Sequence, residues 1–215
     1  VLMKARPCAW GKCRFCDYIE DNSRDTGEML RLNREILSRV TGEFGVLEVI
    51  NSGSCFELPK ETLDEIRRVI RAKKIRRLFF EAHWMYRRHL QEMRDYMEIP
   101  ITFKIGVETF DHDFRENYLN KHADFQSAAE VRRWIDLAHS RGAKIILLTD
   151  KPSTPFSDFT DVLLLADIYS VSFFNSNVSA TFLLELLVSL VADQMDETAT
   201  KRLDLLNPYF ERNKR

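Results

Sequence analysis

Three of the four cysteines in this chain of 215 residues lie close together, at Cys8, Cys13 and Cys16, with the spacing C-x4-C-x2-C. Three thiolates on one short loop cannot all pair as disulfides, but they can ligate zinc or an iron–sulfur cluster. Three protein ligands leave one coordination position open, which is typical of catalytic metal sites. The distant Cys55 could instead close a structural zinc site. The spacing alone therefore leaves a catalytic centre and a structural zinc site as alternatives.

A second set of polar residues interrupts an apolar run at residues 101–107, which predicts a strand. Side chains alternate between the two faces of a strand, so Lys104 and Glu108 share one face, opposite the apolar side chains. An unpaired charge that faces a protein interior is costly. Lys104 and Glu108 are therefore expected either to pair with each other or to contact a charged ligand.

Glu81 and His83 follow another apolar run and share one face of the chain. Parallel sheets present their ligand-binding groups at the carboxyl ends of their strands. The two residues are therefore candidate catalytic groups that orient a polar substrate. A purely structural role is the alternative for a single histidine.

The elements that would position these residues follow an alternating pattern, in which short apolar runs are separated by amphipathic segments. Such alternation predicts βα units and a mostly parallel sheet. Strands are predicted at residues 2–5, 46–50, 75–80, 101–107, 144–149 and 162–165, with a short edge strand at 169–173. Helices are predicted after the polar caps at 22–25 and at residues 61–72, 86–97, 111–119, 127–141 and 175–194.

Composition narrows the classes of partner. The net charge is -1 and charged residues make up 30% of the chain, so the sequence carries no strong nucleic-acid signal. No apolar run reaches the length of about 20 residues that a membrane span requires. Cysteines clustered in one loop indicate a reducing compartment. We therefore expect a cytoplasmic protein that binds a small-molecule substrate and no membrane.

The cysteine loop also has an aromatic residue, Phe15, just before its last cysteine, and it follows the first predicted strand. In these features the chain resembles the radical S-adenosylmethionine (SAM) superfamily. The resemblance implies a [4Fe-4S] cluster on Cys8, Cys13 and Cys16 whose fourth iron is open to SAM. It also implies a partial (βα)6 barrel. The first gap is one residue longer than the commonest family spacing, C-x3-C-x2-C.

The same resemblance implies residues that bind SAM. The family has a small glycine-containing motif after its second strand, and Ser52, Gly53 and Ser54 stand there in this chain. These residues would bind the SAM amino group. On the fourth strand, Lys104 would suit the SAM carboxylate and Glu108 the ribose hydroxyls. Phe15 completes the implied SAM-binding set.

Residues 1–130 are most similar to radical SAM proteins of the queuosine-salvage lyase type, through residues 6–13, 49–54 and 80–84. That likeness implies a lyase-like enzyme. An external electron donor would reduce the cluster, and SAM would be cleaved reductively to a 5′-deoxyadenosyl radical. The radical would act on a small, nucleoside-like substrate that contacts Glu81 and His83.

Residues 140–215 resemble instead the second half of a sugar isomerase (SIS) domain, through residues 141–150, 155–158 and 161–164. We therefore expect a single α/β domain over 1–215, with a radical-SAM-like part at 1–135 and an SIS-like part at 136–215. Two families joined in one domain would make the chain an engineered chimera. Three alternatives stay open. These are an open flavodoxin-like three-layer sandwich, a chimeric scaffold with no turnover, and an SIS-like phosphosugar-binding module with a structural zinc site.

Overall fold

The computed structural model describes residues 1–169 and 176–195, which fall into two compact units. The first is Val1–Ser127, and the second begins at Ala128. The prediction of one α/β domain over 1–215, with parts at 1–135 and 136–215, stays a prediction.

The first unit is built on a four-stranded parallel sheet whose strands lie side by side in chain order. The strands are β1 (Leu2–Met3), β2 (Val46–Asn51), β3 (Arg77–Glu81) and β4 (Ile101–Lys104). The helices between them are α1 (Thr26–Ser38), α2 (Lys60–Ala72) and α3 (Leu90–Met97). Strands in chain order with a helix in each connection are the βα units of a barrel. A flavodoxin-like sheet would place its first strand between the second and the third. The sheet therefore confirms the predicted α/β partial barrel rather than the open sandwich.

One face of this sheet packs against the helices, because apolar side chains alternate along its strands. Val49 on β2 and Phe80 on β3 are completely buried, and they pack in one core with Leu37 of α1 and Ile66 of α2. The opposite face carries charged side chains, among them that of Glu81 on β3. The sheet thus has an apolar face for the core and a polar face for a site.

The second unit contains a two-stranded parallel sheet. Its strands are β5 (Ile146–Thr149) and β6 (Val162–Leu165), and its helices are α4 (Ala128–Ser140) and α5 (Val178–Gln194). Within the described ranges, no helix has the length and apolar character needed to cross a membrane.

Several predicted elements differ from those observed. The fourth strand ends at Lys104 instead of residue 107, and Glu108 has a left-handed backbone with φ 62°. The predicted helix at 86–97 begins only at Leu90, after a short 3₁₀ turn at Trp84–Tyr86. The predicted helix at 111–119 is a short π-helix at Phe114–Tyr118. Most of the predicted edge strand at 169–173 lies outside the described residues.

Candidate active site

A cavity of about 440 Å³ lies in the first unit, at the carboxyl ends of its strands. Its walls come from the cysteine loop at residues 8–18, the turn after β2, the ends of β3 and β4, and Lys121. Parallel sheets usually place ligand sites at this edge. The cavity gathers nearly all of the predicted site residues; Ser54 is the exception.

The three clustered cysteines all line this cavity as free thiols. Cys8 and Cys13 are half-buried, and Cys16 is exposed. Burial raises the pKa of the Cys13 thiol; the Lys121 ammonium opposes this rise, and the neighbouring Cys16 and Cys8 add to it. These mutual effects show that the three thiols lie near one another and near a cation.

Cys55 has a different environment, because it lies in the apolar core with no exposed surface. Burial raises the pKa of its thiol to about 12. Cys55 does not line the cavity into which the other three thiols open. The structure therefore does not bring Cys55 to them as the fourth ligand of the zinc site that the sequence left open.

The donor set of the cysteine loop fits an iron–sulfur cluster. Such clusters are held by cysteine thiolates that are spread over several irons. Cys8, Cys13 and Cys16 supply three thiol groups that open to one cavity.

The first half of the cysteine loop is anchored by the buried carboxylate of Glu57, which is 5% exposed. Glu57 Oε1 accepts hydrogen bonds from the Ala9 N–H at 3.2 Å and the Tyr86 hydroxyl at 3.0 Å, and Oε2 accepts from the Ser54 N–H at 2.5 Å. Burial raises the pKa of Glu57, and these hydrogen bonds oppose the rise. The sequence signal for this anchor is the spacing S-x-x-E of a capping box, which Ser54 and Glu57 form here.

The second half of the loop contacts residues 117–122, which we call the clasp. The Arg14 N–H donates to the Leu119 carbonyl at 2.9 Å, and the Trp10 Nε1–H donates to the Asn120 carbonyl at 2.7 Å. The Asn120 side chain donates to the Lys12 carbonyl at 2.8 Å. These three hydrogen bonds attach the loop between Cys8 and Cys16 to a segment more than a hundred residues away in sequence.

Arg115 binds the chain on either side of the clasp, and its side chain has no exposed surface. Its guanidinium donates to the carbonyls of Thr109 at 3.0 Å, Ala123 at 3.2 Å and Phe125. It also pairs with Glu116 at 2.8 Å. A buried charge needs such a complete set of partners. Arg115 therefore fixes the chain on both sides of the clasp.

The charged residues predicted to share one face of β4 do lie at the cavity, but they do not pair with each other. Lys104 pairs with Glu48 of β2, and Glu108 pairs with Lys121 at 2.8 Å. The alternative in which Lys104 pairs with Glu108 is therefore wrong. Lys121, which was not among the predicted site residues, is the other cation at the cavity wall.

Glu81 and His83 also line the cavity. Burial raises the pKa of Glu81, the Lys104 ammonium opposes this rise, and Glu48 adds to it. His83 Nδ1 accepts from the Met85 N–H at 3.2 Å, so Nε2 carries the proton and donates to the Lys121 carbonyl at 2.9 Å. Both ring nitrogens thus bind backbone groups, which supports a structural role; the predicted contact of Glu81 and His83 with substrate stays a prediction.

The turn after β2 divides into two parts. Ser52 and Gly53 line the cavity, and a side chain on Gly53 would place its Cβ 3.5 Å from that of Cys8. Ser54 is completely buried and caps the turn at Cys55–Glu57 instead. Ser52, Gly53 and Phe15 thus line the cavity and Ser54 does not; the SAM-binding role of these residues stays a prediction.

No protein-family model matches the chain, and no curated protein matches it. Among solved structures, the chain is similar to a queuine lyase from Clostridium spiroforme bound to SAM and queuine. The two are 36% identical with a TM-score of 0.60, and the match covers 88% of this chain and 85% of that one.

The match extends beyond the part that resembles radical SAM proteins in sequence, because 88% of 215 residues is more than the first 130. The likeness of residues 140–215 to an SIS domain and the chimeric origin stay predictions. The radical SAM fold and the lyase-like character are confirmed by this neighbour. The chain belongs to the radical SAM lyase family that includes this queuine lyase.

Proposed function

We propose that this chain is a radical SAM lyase that holds a [4Fe-4S] cluster on Cys8, Cys13 and Cys16 and binds SAM beside it. The observation that carries the proposal is that these three thiols open into one cavity formed by the ends of parallel strands. When bound, the reduced cluster and SAM would supply a 5′-deoxyadenosyl radical. The chain's own residues bind and orient SAM and limit the access of water.

The cavity offers a partner for each polar part of SAM. The exposed Lys104 ammonium, now paired with Glu48, can exchange that carboxylate for the SAM carboxylate. Backbone groups at Ser52 and Gly53 lie beside Cys8 and suit the SAM amino group. Glu108, fixed by Lys121, accepts hydrogen bonds from the ribose hydroxyls. Phe15 is 49% exposed and gives the SAM site an apolar surface.

For the substrate, we propose a small nucleobase or nucleoside related to queuine. The solved neighbour binds queuine, and Glu81 offers a partly desolvated carboxylate to a base edge that carries N–H donors. His83 would act by fixing the wall behind that substrate. An external electron donor and a reducing, cytoplasmic location complete the proposal.

The cluster is tested by anaerobic reconstitution with iron and sulfide. The wild-type protein should show a broad absorbance band near roughly 400 nm and about four irons and four sulfides per chain. Cys13→Ala should lose this band, while Cys55→Ala, which removes a buried thiol outside the cavity, should keep it. A colourless wild-type protein that contains one zinc would refute the proposal.

Turnover is tested separately on the reconstituted protein. With SAM and a strong reductant, 5′-deoxyadenosine should form, and adding queuine should increase its yield and consume the queuine. A protein that holds the cluster but releases no 5′-deoxyadenosine would be the chimeric scaffold without turnover. Thermal stabilisation by a phosphosugar but not by SAM would instead identify the SIS-like binding module.

A further inference from the structure

We infer that Lys121 and Glu108 set the reduction potential of the cluster, with Lys121 raising it and Glu108 lowering it. The inference rests on the proposed function, because it concerns the cluster held by Cys8, Cys13 and Cys16. It adds an electrostatic role for an ion pair at the rim of the site.

The pair lies at the same cavity as the cysteines. Lys121 Nζ is 2.8 Å from Glu108 Oε1 and 5.5 Å from the centroid of the Phe15 ring. Phe15 directly precedes Cys16 in the cysteine loop. The two charges therefore lie beside the loop, and each of them lines the cavity.

Both the position and the partial burial of Lys121 favour a persistent effect. Its side chain is 11% exposed, so its charge is less screened by water and salt than a surface charge. Its N–H donates to the Arg115 carbonyl at 3.0 Å, and its carbonyl accepts from His83 Nε2 at 2.9 Å. Hydrogen bonds thus hold the backbone of Lys121 on both sides of its Cα, inside the clasp that contacts the cysteine loop.

Reduction adds one negative charge to the cluster. A nearby cation stabilises the reduced form and raises the potential, whereas a nearby anion lowers it, and charge and solvent exposure are known to set such potentials. The two members of the pair should therefore have effects of opposite sign. A pair that only supported the cavity wall would affect the potential in the same direction on removal of either member, or not at all.

The test is a potentiometric titration of the reconstituted protein without SAM, followed by the electron paramagnetic resonance signal of the reduced cluster. Lys121→Met should lower the reduced-to-oxidised ratio at a fixed potential by about tenfold, which is about 59 mV for a one-electron couple. This size is expected for a unit charge within about 10 Å at an effective dielectric constant of about 20. Glu108→Gln should shift the potential in the opposite direction.

Three further variants separate charge from structure. Lys121→Arg keeps the charge and should keep the wild-type potential. The double variant Lys121→Met/Glu108→Gln should lie between the two single variants. Lys12→Met removes an exposed lysine of the cysteine loop, whose Nζ lies over the Trp10 ring at 5.2 Å, and should shift the potential much less.

The outcomes distinguish this inference from the proposed function. A wild-type protein that assembles no cluster refutes both. A wild-type cluster combined with shifts of the same sign in Lys121→Met and Glu108→Gln, or with a Lys121→Arg potential equal to that of Lys121→Met, refutes the electrostatic role and leaves the proposed function standing.

Discussion

The two halves of the cysteine loop are held in different ways. The half that carries Cys8 and Ala9 is anchored to one buried carboxylate, that of Glu57, which accepts three hydrogen bonds. The half from Trp10 to Arg14 is anchored to the clasp at residues 117–122 through several separate hydrogen bonds. One anchor is a single buried charge, and the other is distributed over a partly exposed segment.

This difference predicts how each anchor responds to mutation. Loss of a buried acceptor leaves several donors unsatisfied at once, and each costs the full penalty of desolvation. Loss of one bond in a distributed anchor leaves the others in place, and water can replace it. The Glu57 anchor should therefore be the more sensitive, and the clasp the more tolerant.

The largest effect is expected for Glu57→Ala. It removes the acceptor of Ala9, Ser54 and Tyr86, and we expect it to lower the free energy of unfolding by about 3 kcal/mol, since each unsatisfied buried donor costs about 1–3 kcal/mol. Urea denaturation of the cluster-free protein measures this change. Glu57→Gln keeps one accepting oxygen and should lose less.

A matched control for this variant is Glu43→Ala, because Glu43 is an exposed glutamate outside the site. Its effect should stay within about 0.5 kcal/mol. Hydrogen exchange should also show faster exchange at residues 8–16 in Glu57→Ala than in the control. Equal losses of stability in the two variants would contradict the anchor at Glu57.

A smaller effect is expected for Trp10→Phe in the other half of the loop. The variant removes the Nε1–H bond to the Asn120 carbonyl but keeps an aromatic ring to stack on His122, whose ring centroid lies 4.1 Å from that of Trp10. We expect a loss of about 1 kcal/mol, the usual net value of one hydrogen bond. Denaturation measures it, and Trp134→Phe on α4 is the control for replacing a half-exposed tryptophan. A loss as large as that of Glu57→Ala would remove the distinction between the two anchors.

The range of each contact along the chain decides which parts of the site could be predicted from the sequence. The three cysteines could be predicted as ligands because their pattern is local in the chain. The strand ends could be predicted because each follows a short apolar run, so Glu81 and Lys104 were placed at the correct edge of the sheet. The long-range polar contacts could not be predicted, because Lys104 pairs with a residue 56 positions away and Trp10 donates to an acceptor 110 positions away. Such contacts are decided by the packing of the sheet and not by local spacing.

At the end of β4, Lys104 and Glu108 lie on the predicted side of the chain, although the predicted strand does not extend that far. Period-two alternation placed Lys104 and Glu108 on one side of an extended strand to residue 107, but the strand ends at Lys104. Exposure still alternates up to Glu108, with Ile105 and Val107 half-buried between exposed residues. Lys104 and Glu108 therefore both reach the cavity. Hydrophobic alternation reports which side chains are covered, and it does not report whether the backbone still pairs with β3.

The smallest expected effect concerns the pH dependence of folding stability, through His83, which donates to the Lys121 carbonyl in the clasp. Burial and the Lys121 ammonium lower the pKa of His83 below its ordinary value of about 6.5. The unfolded chain therefore binds more protons than the folded chain in the range between the lowered pKa and about 6.5, so stability rises with pH across that range. Folding stability thus falls as the pH drops below about 6.5, because protonation of Nδ1 breaks the bond from the Met85 N–H and places a second positive charge near Lys121.

Thermal denaturation of wild type and His83→Gln between pH 5 and 8, both without cluster, should give a difference in melting temperature that favours wild type most at pH 8 and shrinks towards pH 5. A difference that is constant over this range would mean that the imidazole does not titrate on folding, and the contribution of His83 to the clasp would then be packing alone.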